Sequence, residues 1–376
     1  MNRRVLAALL TLALATPALA QTPPLPPGSL QWLGNLGGDQ PYSEVFAMSA
    51  DGSALVGQTS TPTGYRAFRW TSATGFQTAP NNNSNAYDCS ADGTISVGDA
   101  LIANNTRATR WSGPFLTDVI PDLPGGATSA YAFGCSADGR TIVGDSSSTT
   151  GIQAFQWREG LGTRALGHLG QHPGGYFYSS ASDVSADGLS IVGLSTSPRG
   201  TEAFRWTESG MQPLSDLPGG AFTSYAGAIS RDASTIVGYG STESGLEATR
   251  WTSAGIQGLG YLPGAPAENL ESVANDLSAD GSIIVGRSTS GGRGTAFIWT
   301  ESQGMRSVQA ILEDEFGHTF GGWSLVSVNA ISDDGRTVAG YGWHNSRPEA
   351  FVATIPAPGA LGASVVLAIG LQRRRR

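Results

Sequence analysis

Cys89 to Trp111 reads CSADGTISVGDALIANNTRATRW, and its Ser-Ala-Asp-Gly string returns at Ser136–Gly139. In both places the Asp stands nineteen residues ahead of a Trp. Extending the comparison in both directions gives seven copies, with the Asp at Asp51, Asp92, Asp138, Asp187, Asp232, Asp280 and Asp334. Two residues earlier each copy has a Ser, and six residues later a Gly, from Gly57 to Gly340. Sixteen residues later stands an Ala, from Ala67 to Ala350. The Trp position holds Trp70, Trp111, Trp157, Trp206, Trp251 and Trp299, and Ala353 replaces it in the last copy. The Asp-to-Trp distance is constant, whereas the return to the next Asp takes 22 to 35 residues.

A fixed core with variable returns is the mark of a repeat architecture. Within one copy, Asp-Gly is a strong hairpin signal, because Gly accepts positive φ and Asp bonds its own backbone. β-Branched and aromatic residues fill the intervals. In the fourth copy this predicts a strand ending at Val184, a second through Ile191 and Val192, a third over Ala203–Trp206 and a fourth from about Met211 to Leu214. The Gly inside the second strand predicts a bulge, or a place where the Trp ring lies on bare backbone. Four strands in 41 to 54 residues is the size of one propeller blade, and a β-helix coil is shorter. The prediction is an all-β, seven-bladed β-propeller of four-stranded blades. The last copy lacks an outer strand and the segment QWLGNLGG, Gln31 to Gly38, is left over. The N-terminal strand is therefore expected to close the ring and to hide the edge that an open array would expose.

Both chain ends read as processing signals. Arg3 and Arg4, the apolar run Val5–Ala15 and Ala18-Leu19-Ala20 before Gln21 form the three parts of a secretory signal. At the far end Pro356 and Pro358 precede an apolar run, Gly359–Leu371, and Arg373–Arg376. Thirteen residues at about 1.5 Å each give roughly 20 Å, short of a bilayer core of about 30 Å. The arginines are expected to hold the tail at the cytoplasmic side, as a transient membrane contact. The division is thus a signal peptide over 1–20, a Pro-rich linker over 21–30, the propeller over 31–354 and a tail over 355–376. Without the six terminal arginines, sixteen positive charges face thirty negative ones, which speaks against nucleic acid as a partner.

These features carry two resemblances. The tail is similar to the PEP-CTERM sorting signal, with Ile355-Pro356-Ala357-Pro358 standing where that family has Val-Pro-Glu-Pro. This implies an exosortase-like protease as a transient partner, and export to the surface or surroundings of a Gram-negative-type bacterium. The body resembles the HAF-repeat family of bacterial extracellular proteins through Arg66-Ala67-Phe68, Gln153-Ala154-Phe155, Glu202-Ala203-Phe204 and Glu349-Ala350-Phe351. The eponymous His is absent from every copy, so no role for it carries over.

The candidate chemistry is thin. The seven Asp residues sit at turns and lack the further oxygens that a hard cation needs. His168 and His172 are four apart, but in a strand running into a Gly-Pro turn, which gives no zinc pair. Glu313, Asp314 and Glu315 suit one solvated helical turn. Cys89 and Cys135 share one repeat position, filled elsewhere by Met48, Val184, Ile229, Leu277 and Ile331. An apolar slot taken by a thiol and a disulfide between adjacent blades both remain open. No cofactor motif and no triad order stands out. The expectation is a non-catalytic binding or scaffold module of the cell surface or exopolysaccharide matrix, binding polysaccharide or a surface protein. The alternative is a glycan-active propeller enzyme, lyase or hydrolase, with carboxylates gathered over the central channel. The variable returns carry aromatics beside Ser, Asn and Gly, and Tyr176, Tyr178 and Trp323 are the expected ligand contacts on that face.

Overall fold

The computed structural model describes residues 26–356 apart from 114, 265–269, 291–292 and 345–346. Ala18, Ala20 and Pro358 lie outside the described residues, with the signal segment and the tail from 357; Pro356 lies within them.

Each Asp-Gly string makes the turn that its composition predicts. Ser185 Oγ donates to Asp187 Oδ1 at 2.6 Å, the Leu189 N–H donates to the same oxygen at 3.0 Å, and the Ser190 N–H donates to Ser185 Oγ at 3.0 Å. The other six copies repeat all three bonds. These bonds hold the carboxyls of Asp138 and Asp187 below the usual range, the Ser hydroxyl contributing most.

From this turn the chain builds antiparallel sheets of four strands. In the fourth repeat they are Ser179–Val184, Ile191–Ser197, Gly200–Thr207 and Gly210–Pro213; the first ends where expected, the fourth is one residue off, and the third begins three residues before Ala203. Five sheets have four strands, and one of eight carries the fifth and sixth repeats, joined by parallel pairing of Gly245–Leu246 with Leu270–Glu271. The N-terminal strand Leu30–Gly34 pairs antiparallel with Arg347–Thr354 and so completes the sheet of the seventh repeat. One helix, Val308–Phe316, follows the sixth repeat, capped by the Ser307 side chain; it includes the predicted acidic turn.

The invariant Gly has a definite cause. A Cβ at Gly193 would stand 2.0 Å from the Ser180 carbonyl oxygen, and one at Gly98 1.8 Å from that of Asn85. The inner strand bulges opposite each, between Ala181 and Asp183 in the fourth repeat. The bulge reading is right and the Trp-contact reading is not: the ring against Gly193 is Phe204, two residues before Trp206.

Sheets pack on one another through the Trp of one repeat and the second strand and invariant Ala of its predecessor. Trp206 joins Val143 and Ala154, Trp251 joins Val192 and Ala203, and Trp70 of the first repeat joins Ala339, Ala350 and Val352 of the last. Hydrogen bonds reinforce the pattern, with the invariant Ala donating to a buried Ser that opens the next inner strand. Examples are Ala67 to Ser84 and Ala350 to Ser43, both at 2.9 Å. Cys89 and Cys135 are free and buried in the apolar slot, and burial pushes both thiols up.

Candidate functional site

Inner strands of all seven repeats line one cavity of about 200 Å³ on the axis of the molecule. Its wall is uneven. At one level the first three repeats contribute Phe46, Tyr87 and Phe133, with ring centroids 5.5 and 5.3 Å apart in sequence. The next four repeats place Ser182, Gly227, Asn275 and Asn329 there. An aromatic arc thus faces small and amide side chains.

Below the arc, three aspartates clasp neighbouring repeats. Asp88 accepts the N–H groups of Cys89 at 2.7 Å and of Cys135, one repeat on, at 2.8 Å. Asp183 does the same for Val184 and Ile229, and Asp276 for Leu277 and Ile331. Burial outweighs those bonds and lifts Asp88 to about 6 and Asp276 to about 7. Asp183 is raised too, by burial and by the charge of Asp88.

At the Ser-Ala-Asp-Gly end the channel narrows to a ring of backbone bonds. Ala50 donates to Ala91, Ala91 to Ala137, Ala137 to Ala186, Ala186 to Arg231, Ala279 to Asp333, and Asp333 back to Ala50. Among the described residues the link from Arg231 to Ala279 is missing. The Arg231 guanidinium instead reaches across to Asp333 at 2.5 Å, which explains why those two turns depart from Ala.

Above the arc lie the residues with the richest chemistry. Asp99 accepts from Asn85 Nδ2 at 3.0 Å and from the Tyr87 hydroxyl. Asp145 takes bonds from Ser180 and Tyr178, and burial lifts it to about 6. Glu44 accepts from Tyr42 at 2.5 Å and from Asn329 at 2.8 Å, and burial raises it as well. Burial, then the charge and hydrogen bond of Asp99, and more weakly the fields of Tyr131 and Asp145 hold the Tyr87 hydroxyl protonated. Tyr87 therefore has its ring on the channel and its hydroxyl on the buried carboxylate of Asp99, with Asp145 acting on it from farther off. Perturbed acids are a recognised signal of a reactive site; here they stand behind the channel wall, since Tyr87 and Asn329 line the axial cavity and Glu44, Asp99 and Asp145 do not.

Sequence reasoning missed this group. Its signal was present: Asp99 and Asp145 each follow the invariant Gly directly, at a position that elsewhere holds Gln58, Leu194, Tyr239, Arg287 and Tyr341. The three expected ligand contacts have separate settings. Tyr178 joins the site through Asp145. Tyr176 is half exposed and stacks on His172 at 4.5 Å, and Trp323 is sandwiched between Trp32 and His344 at 3.7 and 3.8 Å. Phe320, from the same aromatic series, is buried. No group of three or more His, Cys, Asp or Glu among the described residues is arranged to hold a metal ion.

No family model matches the chain, and no curated protein matches it. Solved structures do. An oligogalacturonate lyase from Vibrio parahaemolyticus is similar at 10% identity and a TM-score of 0.54, over 88% of this chain and 92% of that one. The β-propeller domain of the Trilobed protease from Pyrococcus furiosus, described with an open velcro topology, gives 10% and 0.54, over 85% and 95%. A prolyl endopeptidase gives 10% and 0.53, and the chain spans half of its length. At such identity the likeness shows the β-propeller fold. These neighbours, an enzyme and domains of enzymes, correct the expected non-catalytic binding or scaffold role and stand nearer the enzyme alternative; at 10% identity they assign no activity to this chain.

Proposed function

We propose that the chain is a propeller enzyme that hydrolyses glycosidic bonds at the upper end of its channel. The observation that carries this reading is Tyr87, whose ring lines the channel while its hydroxyl bonds the buried Asp99 and feels the charge of the buried Asp145. Asp145, lifted to about 6, keeps its proton in mildly acidic solution and gives it to the glycosidic oxygen as the C–O bond breaks. Asp99, held by Asn85 and Tyr87, takes the proton of the water that attacks the anomeric carbon. Phe46, Tyr87 and Phe133 offer stacking faces for the sugar ring, and Asn275 and Asn329 offer amides for its hydroxyls. The axial cavity of about 200 Å³, lined by Phe46, Tyr87 and Phe133, is smaller than the roughly 300–1,000 Å³ of a drug-sized site and suits a single ring, with the bond to be cleaved reaching past it toward Asp99 and Asp145.

Hydrolysis is favoured over elimination by charge. A lyase acting on uronates must neutralise a substrate carboxylate. Arg231 and Arg287 are already paired, with Asp333 and Glu271.

The propeller in this reading has seven blades, the eight-stranded sheet counting as two, and the pairing of Leu30–Gly34 with the last sheet closes the ring. Packing of Trp70 on the last repeat supports that closure. The signal segment over 1–20, the linker over 21–30 and the PEP-CTERM-like tail over 355–376 are proposed to export a HAF-repeat-type chain to the cell surface, where an exosortase-like protease processes it. Its substrate there is a component of the exopolysaccharide.

Incubating the purified protein with a panel of neutral, amino and uronic oligosaccharides between about pH 5 and 7 tests the reaction. Release of new reducing ends without unsaturated product is the expected result. Unsaturated product would replace hydrolysis by elimination, and no cleavage anywhere in the panel would refute the enzyme reading.

A further inference from the structure

A second cavity, of about 460 Å³, lies away from the axis between the third and fourth repeats. Its floor is apolar: Leu169, Pro198 and Met211. Its polar edge is formed by His168, Arg199 and Glu202. We infer that this cavity binds one neutral sugar unit of a glycan chain, as an auxiliary site beside the channel; its ligand class rests on the glycan reading above, whereas its chemistry stands apart from Asp99 and Asp145.

Three features point to such a ligand. His168 Nε2 is buried without a hydrogen-bond partner, while the ring bonds the Ile152 backbone. Burial holds the imidazole below its usual range, so the ring of this cavity-lining residue is neutral and Nε2 is its acceptor. An unsatisfied polar atom in a native site asks for a partner, and a sugar hydroxyl is a suitable donor.

Second, the charges are balanced in advance. Arg199 forms an ion pair with Glu202, which is only 1% exposed, and its guanidinium lies over the Phe222 ring at 4.3 Å. A uronate carboxylate would meet Glu202 beside the arginine it needs. Vicinal hydroxyls, in contrast, can accept from the exposed side of Arg199 without bringing a second negative charge beside Glu202. The cavity therefore selects neutral units over acidic ones.

Third, the surroundings suit a chain. Phe177, 40% exposed, packs against His168 at 5.3 Å, and Tyr176 beside it is 50% exposed. Exposed aromatics next to an apolar floor stack well on the CH face of a sugar. Gly170 and Thr196 hold the loop in place, with the Gly170 N–H donating to the Thr196 carbonyl at 3.0 Å and Thr196 Oγ1 to the Gly170 carbonyl at 2.9 Å.

The test measures binding, not turnover, with the full chain carrying D145N. Affinity electrophoresis against a neutral glucan, a neutral galactan and polygalacturonate should show retardation by a neutral polymer and none by polygalacturonate. Met211→Trp, which fills the floor, and His168→Ala, which removes the acceptor, should each weaken binding by about tenfold, or roughly 1.4 kcal/mol, with an unchanged thermal midpoint. Binding lost in both variants, together with no cleavage of any glycan by the chain that keeps Asp145, would uphold this site and overturn the channel chemistry alone. Equal retardation by polygalacturonate, no retardation by either neutral polymer, or parental binding in both folded variants would overturn the site.

Discussion

Gly193 and Ala233 show how tightly single positions are specified. A methyl group at Gly193 would meet a backbone oxygen at 2.0 Å, which no rotamer change relieves. Gly193→Ala should lower stability to urea by about 1–3 kcal/mol, the usual penalty of overpacking. Ala233 sits where the other six turns have Gly, at φ 61°. A left-handed residue with a Cβ costs about 1–2 kcal/mol, so Ala233→Gly should raise stability by a fraction of that. Denaturant midpoints moving in opposite directions support both assignments; a neutral Gly193→Ala would remove the close-approach argument. At this scale the repeat was legible because its Ser, Asp, Gly, Ala and Trp each answer to a local rule. The three clasping aspartates were less so. Their cause is contact between repeats, and their one sequence trace is an alternation, with Ala47, Gly134, Ala228 and Ala330 in the odd copies and Asp88, Asp183 and Asp276 in the even ones.

Between strands, those clasps make stability depend on pH. An unfolded Asp titrates near 3.9, whereas Asp88 and Asp276 do so at about 6 and about 7 when folded. The folded state holds these protons more tightly. Their favourable contribution is full below about pH 4 and is lost as pH rises through 6 to 7. The turn aspartates act in the opposite sense, being lowered, but they are exposed and weigh less. The thermal midpoint should therefore fall between about pH 5 and 8. Asp276→Ala should flatten that fall and lower the midpoint throughout, since the Leu277 and Ile331 N–H groups lose their acceptor. A midpoint that climbs with pH across this range would show that the clasps stay charged.

For the whole molecule, the Asp-to-Trp unit carries the architecture and the positions between its fixed residues carry the chemistry. Strand order was readable from the periodic residues, and so was the pairing of the N-terminal strand with the last sheet. The upper channel was not, because Glu44, Asp99 and Asp145 occupy different repeats and meet only in three dimensions. Removing residues up to Gly38 should strip the last sheet of its outer strand and release the packing of Trp32 on Trp323 and Phe351. The truncated chain should lose its cooperative unfolding or associate, as judged by calorimetry and light scattering; an unchanged midpoint in a monomer would argue against closure by this strand.

The central claim is that Asp99 and Asp145 serve a reaction and not the fold. Turnover and thermal midpoint of Asp99→Asn and Asp145→Asn, measured side by side on the glycan that the parent cleaves, test it most directly. The account predicts a loss of at least about a hundredfold in turnover for each, with midpoints close to the parent's, because the amide keeps the size of the carboxyl and an acceptor oxygen for its neighbours. Variants that keep parental turnover while their midpoints fall would assign both carboxylates to structure.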